Sequence, residues 1–272
     1  AASATPIVEA YDWTPHELDE AGIEHVLETY AASAAQLVAA GADGIEIHCA
    51  HETLPQTFLS PALNLRTDRW GGDAAGRTLF VREILARVRA RIGSAAALGV
   101  RICASEQRQG GYTLLDMREM ITIIAADGML DFVNVDVGHS WGAPYVQPSY
   151  YEHAQFREVA RAIRADVHPT PVLFAGRVND PVVAEELLAS GVCDLVAMTR
   201  AGIADPDFAR KAREGRLGEI RRCIGCNRCI GESIDQSVPA MFRKPVCSVN
   251  PVVGRELEWT ARHRPASECK RV

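Results

Sequence analysis

The sequence lacks any apolar run of about 20 residues, which is the length that a helix needs to span a bilayer. Its alanine-rich start also lacks the charged and apolar regions of a signal peptide. Eight cysteines are present, but their spacing is of a metal-binding type and does not suggest a disulfide framework. These features predict a cytoplasmic protein with no membrane partner.

The chain also lacks an excess of positive charge, since 29 Lys and Arg stand against 35 Asp and Glu, a net charge of -6. A nucleic-acid partner needs a basic surface to neutralise phosphates, so the charge argues against this partner class. No G-x-G-x-x-G turn follows a strand-like run, which argues against a doubly wound dinucleotide-binding sheet. The 272 residues are 47% apolar and are ample for a globular core.

Five apolar, β-branched runs recur with room for one helix before each, a pattern typical of a parallel α/β sheet. The predicted strands are 44–48, 99–103, 132–138, 171–177 and 195–200, and the predicted helices are 22–42, 76–93, 114–128, 151–165 and 181–191. Polar residues gather at the carboxyl ends of these strands, where (β/α)8 barrels carry their chemistry. A closed barrel has eight strands. We therefore expect an α/β fold that is a partial TIM barrel, strands 4 to 8, followed by a cysteine segment.

That cysteine segment has the spacing C-x2-C-x2-C at Cys223, Cys226 and Cys229, with a later cysteine at Cys247. Such spacing favours a [4Fe-4S] cluster. Structural zinc sites usually pair two C-x2-C knuckles or add histidines, and no histidine lies between the first and last of these cysteines; zinc and ordinary thiols remain alternatives. From residue 210 onward 14 Lys and Arg face 7 Asp and Glu, an excess that would offset the charge of a cluster.

Two histidines, His48 and His51, lie at the carboxyl end of the first predicted strand. Two imidazoles so placed can donate N–H bonds to one substrate oxygen and polarise a conjugated double bond. A structural role or a two-histidine metal site is the alternative, although no carboxylate pattern completes the latter.

Arg101 ends the second predicted strand within an apolar run. An unpaired guanidinium would be costly there, so we expect it to meet an anion at the barrel mouth. The alternative is an internal salt bridge with Glu46 or Asp136.

The last two predicted strands are followed by Gly176, Arg177 and Arg200. Barrels commonly bind phosphate at the loops after strands seven and eight. These three residues are therefore predicted to form a phosphate cup.

These segments together closely resemble the old yellow enzyme superfamily, in the branch with an iron-sulfur cluster that includes 2,4-dienoyl-CoA reductase and trimethylamine dehydrogenase. The resemblance covers nearly the whole chain. It is carried by "GADGIEIHCAH", "FLSPALNLRTDRWGG", "GVRIC", "PVLFAGRVNDP", "AMTRAGIADPDFARKAREGRLGEIRRCIGCNRC" and "CSVNPVVGRE".

The resemblance implies an FMN-binding barrel in which Arg101 lies near the flavin N1 and C2 carbonyl. It implies that Gly176, Arg177 and Arg200 hold the FMN phosphate, and that His48 and His51 face a small-molecule substrate. The four cysteines would ligate a [4Fe-4S] cluster. Electrons would come from NAD(P)H, with FAD in a downstream domain that the sequence does not include.

The resemblance also implies a division of the chain. Residues 1–218 would be the C-terminal part of the FMN-binding barrel, 219–258 the cluster-binding segment and 259–272 a linker into the absent nucleotide-binding domain. A gap of three strands would expose sheet edges and apolar core. We accordingly expect the 272-residue segment alone to bind FMN poorly and to be inactive.

Some positions depart from the family pattern. Thr53 stands where relatives that reduce enones have a tyrosine proton donor, and a threonine hydroxyl is a much weaker acid. The "GGSLENR" pattern of relatives is "GGDAAGR" here, which retains Arg77 but loses the Glu-Asn pair. Trp141, after the third predicted strand, is a feature that resembles amine dehydrogenases.

Three functions therefore remain. The preferred one is hydride transfer from NAD(P)H through FMN to an activated C=C bond. The second is oxidation of an amine or N-methyl substrate, and the third is a non-catalytic, zinc-stabilised segment.

Overall fold

A computed structural model of the chain describes residues 1–5, 14–138, 146–234 and 245–262. The chain divides into two compact units. The first, here called the sheet unit, comprises Ala1–Tyr145, Ala154–Gly176 and Ala184–Ala197. The second, the cysteine unit, comprises Val146–His153, Arg177–Val183 and Met198–Val272.

The sheet unit contains five parallel strands that neighbour one another in chain order. They are β1 (Gly44–Cys49), β2 (Ala97–Cys103), β3 (Phe132–Asp136), β4 (Val172–Ala175) and β5 (Leu195–Ala197). Each matches a predicted strand. Parallel strands in sequential order with helical crossovers are the arrangement of consecutive units in a (β/α)8 barrel, so the predicted α/β fold class is confirmed.

Helices connect the strands at their predicted places, with α1 (Glu20–Ala39), α3 (Ala74–Ile92), α4 (Leu114–Ala126), α5 (Arg157–Val167) and α6 (Pro181–Ala189). Caps define their starts. The Asp19 carboxylate accepts from Gly22 N at 2.7 Å, and Thr113 forms a reciprocal capping box with Asp116.

The start of one predicted helix needs correction, and a further short helix lies between the first and second strands. The helix expected from residue 151 begins at Arg157, because Ala154 has a left-handed φ of 53° that interrupts helical geometry. A short helix that was not predicted, α2 (Leu54–Leu59), directly follows the histidine turn. It begins with Pro55 in its first turn, where a missing N–H costs nothing.

The core of the sheet unit lies between the strands and their helices. The β2 side chains of Leu98, Val100 and Ile102 are fully buried. Phe58 of α2 stacks on Phe80 of α3 with ring centroids 4.0 Å apart. This packing joins α2 to the long crossover helix α3. It therefore fixes the position of α2, which directly follows the histidine turn.

The cysteine unit contains α7 (Thr199–Ala204), α8 (Phe208–Arg213), α9 (Arg228–Ile234) and α10 (Glu256–Arg262), with a 3-10 turn at Leu217–Glu219. Among the described residues of this unit, Ala201, Phe208 and Ile220 form a small buried cluster. The predicted boundaries at 218/219 and 258/259 stay predictions, and most of the predicted linker lies outside the described residues.

Among the helices of the described ranges, none combines the length and the hydropathy that crossing a bilayer requires.

Candidate functional site

The two predicted histidines lie at the carboxyl end of β1. His48 belongs to the strand and stands in register with Arg101 of β2. His51 lies in the following turn, and its ring centroid is 4.9 Å from that of His48, with an interplanar angle of 64°. The turn requires left-handed backbone at two successive non-glycine residues, His51 (φ 57°) and Glu52 (φ 55°). Such backbone persists only where surrounding contacts hold it, and it is concentrated at functional sites.

Asp136 joins this turn to Arg101. Its Oδ2 lies 3.0 Å from His51 Nε2 and 2.5 Å from Arg101 Nη2, and its side chain is only 3% exposed. Its Oδ1 accepts from Val137 N at 2.8 Å, which fixes the carboxylate plane. The alternative considered for Arg101, an internal salt bridge with Asp136, is therefore present.

Sequence reasoning weighed Asp136 only as a partner for Arg101 and missed it as a site residue. The signal was available, since an aspartate ends the apolar run 132–135 where β3 reaches the rim. Nothing local to the sequence indicated that a histidine 85 positions away would contact it.

The Arg101 side chain retains unused hydrogen-bonding capacity despite this ion pair. Its Nε is buried and has no hydrogen-bond partner within the described residues, and the same is true of Asn134 Oδ1 in the neighbouring strand. A buried polar atom without a partner costs free energy unless a bound group satisfies it. The sheet unit therefore fits a polar ligand such as the carbonyl and ring nitrogen edge of a flavin.

Electrostatics keep His48 uncharged at neutral pH. Burial, followed by the neighbouring His51 and Arg101, lowers the pKa of His48 to about 4. A neutral imidazole has one N–H donor and one acceptor nitrogen. His48 can therefore donate a hydrogen bond without bringing a positive charge into the site.

Thr53, which replaces the expected tyrosine, turns towards the backbone. Its Oγ1 lies 2.6 Å from His48 O and 2.9 Å from Ala50 O. Its single proton is used in closing the histidine turn. This hydroxyl is consequently a structural group and not a proton donor to a bound molecule.

The three residues of the predicted phosphate cup do not all belong to one unit. Gly176 ends its segment of the sheet unit, where an added Cβ would approach Phe174 to 2.5 Å. Arg177 and Arg200 belong to the cysteine unit. The phosphate cup stays a prediction.

In the cysteine unit, Arg177 has left-handed backbone (φ 52°) and donates from Nη1 to Tyr151 O. Its Nε is buried and has no partner in the described part of the chain. Arg200 Nη1 donates to Gln147 O at 2.7 Å and to Asn227 Oδ1 at 2.5 Å. The Nε–H of Arg177, which lacks a partner among the described residues, fits an anionic ligand such as a phosphate.

All four predicted metal ligands line one open pocket of the cysteine unit, with an empty volume of about 290 Å³ that includes the solvent at its mouth. The ligands are Cys223, Cys226, Cys229 and Cys247. Apolar side chains from Ile203, Ile224 and Val249 line the same pocket, as does Arg200. The structure thus brings the distant fourth cysteine to the tight cysteine loop.

The loop geometry at the first two cysteines depends on a glycine. Gly225 has φ +67°, and a Cβ there would lie 3.1 Å from Ser149 N and from Arg177 Nε. Its N–H points to Cys223 Sγ at 3.4 Å. Backbone N–H groups directed at thiolate sulfur are a known means of stabilising its negative charge.

The thiols differ in their surroundings. A hydrogen bond with the Ser248 hydroxyl, 3.4 Å from Cys226 Sγ, lowers the pKa of Cys226. Burial raises the pKa of Cys229. A bound metal centre would favour the thiolate form of both.

The chain entering the cysteine loop is held by a buried carboxylate. Asp205, 1% exposed, accepts from Lys211 Nζ at 2.6 Å and from Arg221 N at 2.9 Å. Asn179 Nδ2 donates to the Cys223 carbonyl, and Asn250 Nδ2 donates to Ile203 O at 2.8 Å. Polar side chains therefore fix the backbone on both sides of the pocket.

In the residues that the structure describes, no group of three or more His, Cys, Asp or Glu is arranged to hold a single metal ion. A [4Fe-4S] cluster differs from a single ion, because each cysteine binds a different iron and the sulfurs need not converge on one point. The donor set, four thiols around one pocket, fits such a cluster. The metal site stays a prediction.

Three of the remaining four cysteines lie within the described residues. Cys49, Cys103 and Cys193 are buried in the sheet unit and are free thiols. Cys269 and Trp141 lie outside the described residues.

Comparison with known proteins identifies what this chain is similar to. Residues 2–219 match the profile of the NADH:flavin oxidoreductase / NADH oxidase family. The chain is 35% identical over 244 residues to an NADH oxidase from Thermoanaerobacter brockii, covering 89% of this chain and 36% of that protein. It is 37% identical over 218 residues to an N,N-dimethylglycine/sarcosine dehydrogenase from Chromohalobacter salexigens, covering 78% and 31% respectively.

Among solved structures, a 2-naphthoyl-CoA reductase in complex with 2-naphthoyl-CoA superposes with a TM-score of 0.88 at 28% identity, covering 98% of this chain and 40% of that one. The chain spans about a third of the length of these curated relatives.

Proposed function

This chain belongs to the NADH:flavin oxidoreductase / NADH oxidase family, the old yellow enzyme type, and on that premise we propose an FMN- and [4Fe-4S]-dependent oxidoreductase. In this proposal hydride passes between NAD(P)H and an activated C=C bond of an enone or enoyl substrate. The observation that carries it is the position of Asp136, which joins His51 and Arg101 at the carboxyl ends of β1, β2 and β3.

FMN, when bound, supplies a ring that accepts and donates hydride. Arg101 would hold the pyrimidine side of this ring, since its guanidinium carries a permanent positive charge and its buried Nε has no partner in the described residues. Arg177, whose buried Nε likewise has no partner in the described ranges, would hold the phosphate together with Arg200 of the same unit.

His48 and His51 would bind the substrate oxygen. His48 stays neutral and donates one N–H, because burial lowers the pKa of its imidazole to about 4. Asp136 holds His51 at Nε2 and so orients the imidazole that would exchange a proton or hydrogen bond with the substrate.

Cys223, Cys226, Cys229 and Cys247 would ligate the cluster, which passes single electrons. The apolar lining from Ile203, Ile224 and Val249 would limit solvent access, and Arg200 on the same pocket would offset negative charge.

A second function, oxidation of an amine or N-methyl substrate, is favoured by two observations. The dimethylglycine/sarcosine dehydrogenase is among the most similar relatives. Thr53 offers no proton donor, which an enone reduction needs and an amine oxidation does not. In that direction His51, oriented by Asp136, would accept a proton.

Anaerobic bleaching of the flavin separates the two functions. Because the 272-residue segment alone is expected to bind FMN poorly, the protein encoded by the complete reading frame is reconstituted with FMN, iron and sulfide and then mixed with NAD(P)H or with a panel of methylated amines. Bleaching by NAD(P)H, followed by reoxidation with an enone, supports the first function; bleaching by amines alone supports the second. Asp136→Asn should slow substrate turnover about 100-fold in either case, because His51 loses its orienting carboxylate.

Metal analysis separates both from the third possibility, a zinc-stabilised segment. About four irons with acid-labile sulfide per chain support the cluster. One zinc per chain with no iron would contradict it.

A further inference from the structure

The left-handed turn at His51 and Glu52 is tied to a buried hydrogen-bond chain that takes no part in the chemistry described above. The backbone N–H of Glu52 donates to Gln56 Oε1 at 2.6 Å. Gln56 lies in α2 and is fully buried. A side chain four residues ahead therefore satisfies the amide of a backbone conformation that is otherwise unfavourable.

The orientation of the Gln56 amide is set by a buried acid. Its Nε2 donates to Tyr112 Oη at 3.0 Å and to Glu106 Oε1 at 3.4 Å. A carboxylate oxygen accepts hydrogen bonds, so Oε1 of Glu106 pairs with the NH2 end of the amide. The oxygen end is thereby directed at Glu52.

Glu106 is itself fixed from the other side. Its Oε2 accepts from Ser60 Oγ at 2.8 Å and from Tyr112 N at 3.0 Å, and the residue is fully buried. Burial raises the pKa of Glu106, and the hydrogen bonds from Ser60 and Tyr112 oppose that rise. An added Cβ at Gly111 would collide with the same carboxylate oxygen, so a glycine is needed beside it.

We propose that Gln56 and Glu106 are positioning residues for the proposed reaction: the buried Glu106 carboxylate orients the Gln56 amide, which holds the His51–Glu52 turn so that His51 meets Asp136. Neither residue touches the reacting atoms. The inference deepens the proposed function and rests on it for the role of His51. Its test needs no flavin, so the two can fail separately.

Exchanging the acid and the amide tests the proposal. In Glu106→Gln the new amide must offer its oxygen to Ser60 and Tyr112, which places its NH2 against the NH2 of Gln56. In Gln56→Glu two carboxylates face each other. The double variant Gln56→Glu with Glu106→Gln restores a donor opposite an acceptor, and still presents an oxygen to Glu52 N.

Two signals report the result on the 272-residue chain. We expect hydrogen exchange at the Glu52 amide to accelerate about tenfold or more in each single variant and to return towards the parent rate in the double variant. Nitrogen–proton NMR spectra of the His51 ring should show the Nε2–H tautomer in the parent and the double variant, and a tautomer mixture in the single variants.

Thr78→Val is the matched control, since Thr78 is also fully buried but bonds only within α3, to Ala74 O at 2.8 Å and to Ala75 O at 3.0 Å. It should leave both signals at the turn unchanged. Single variants with parent-like signals would overturn the proposal. So would a double variant that restores neither signal or folds no better than the singles, because the rescue is the specific consequence of the pairing.

Discussion

The sheet unit and the cysteine unit hold their candidate site residues in different ways. In the sheet unit His48, Arg101 and Asp136 stand on hydrogen-bonded neighbouring strands backed by a large apolar core. In the cysteine unit the four cysteines stand on loops and short helix ends, and the described residues form only a small buried apolar cluster.

This difference indicates which contacts make each site rigid. Strand register determines the geometry of the first site, whatever ligand is bound. The second site depends on polar side chains that fix its backbone, such as Asp205 and Asn179, and on whatever the cysteines bind. Ligand removal should therefore affect the cysteine unit far more than the sheet unit.

The largest effect is expected from Cys226→Ala in the reconstituted protein. Iron content should fall well below about four per chain, because the cluster would lose one of its four thiolate ligands. Backbone amides of the cysteine unit should then exchange faster while β2 and β3 keep their protection. Cys193→Ala, which removes a buried thiol of the sheet unit, is the control and should retain iron. An unchanged iron content in the Cys226→Ala variant would contradict the proposed role of Cys226 as a cluster ligand.

Asp205→Ala should produce the next largest effect, confined to the cysteine unit. It leaves Lys211 Nζ and Arg221 N without their shared acceptor, and breaking such a buried pair costs about 3 kcal/mol of unfolding free energy. Urea unfolding followed by exchange of cysteine-unit amides measures the loss. The control, Asp207→Ala, breaks a half-exposed pair with Arg210 and should change stability much less. Equal losses in the two variants would contradict the anchoring role of Asp205.

A change of pH is expected to have a smaller effect, on the unfolding free energy of the sheet unit. The pKa of His48 is about 4 in the folded chain and 6.5 when unperturbed, so between these values the unfolded state binds more protons. Stability should therefore fall as pH falls from 6.5 to 4, by about 1–2 kcal/mol once solvent screening is allowed for. His48→Gln should reduce this slope, measured by urea unfolding at a series of pH values. His25→Gln, on the exposed side of α1, should keep the parent slope.

Thr53→Val should have the smallest effect. Its Oγ1 contacts with His48 O and Ala50 O are lost, which lowers the unfolding free energy by about 1 kcal/mol. Proton transfer in the reconstituted protein should be retained, since the hydroxyl does not serve as the acid. Thr122→Val, which removes one exposed contact within α4, is the matched control for stability. A loss of turnover in Thr53→Val that is absent from Thr122→Val would show that the Thr53 hydroxyl takes part in the reaction.

Much of this arrangement could be predicted from the sequence. The five strands are predictable because short β-branched, apolar runs at regular intervals are typical of strands buried on both faces of a parallel sheet. The cysteine spacing identifies four thiols that the structure places around one pocket. For the helix predicted over 151–165 only the start is wrong: the helix begins at Arg157, since a left-handed residue at Ala154 interrupts an otherwise helical pattern.

Other features were beyond local sequence reasoning. The contact of Asp136 with His51 joins residues 85 apart, and the Glu106–Gln56 contact joins residues 50 apart. Neither pair has a signature in spacing or composition. The sequence allows Arg101 either a bound anion or a salt bridge, and the structure shows the salt bridge together with one Nε that has no partner in the described residues.

The sequence by itself determined the strands, the crossovers and the cysteine spacing, because periodicity and backbone preferences act over a few neighbouring residues. Only the tertiary structure decided which carboxylate orients His51 and which amide holds its turn. Those choices depend on strand register and on the burial of polar groups, and burial exists only once distant segments have packed together.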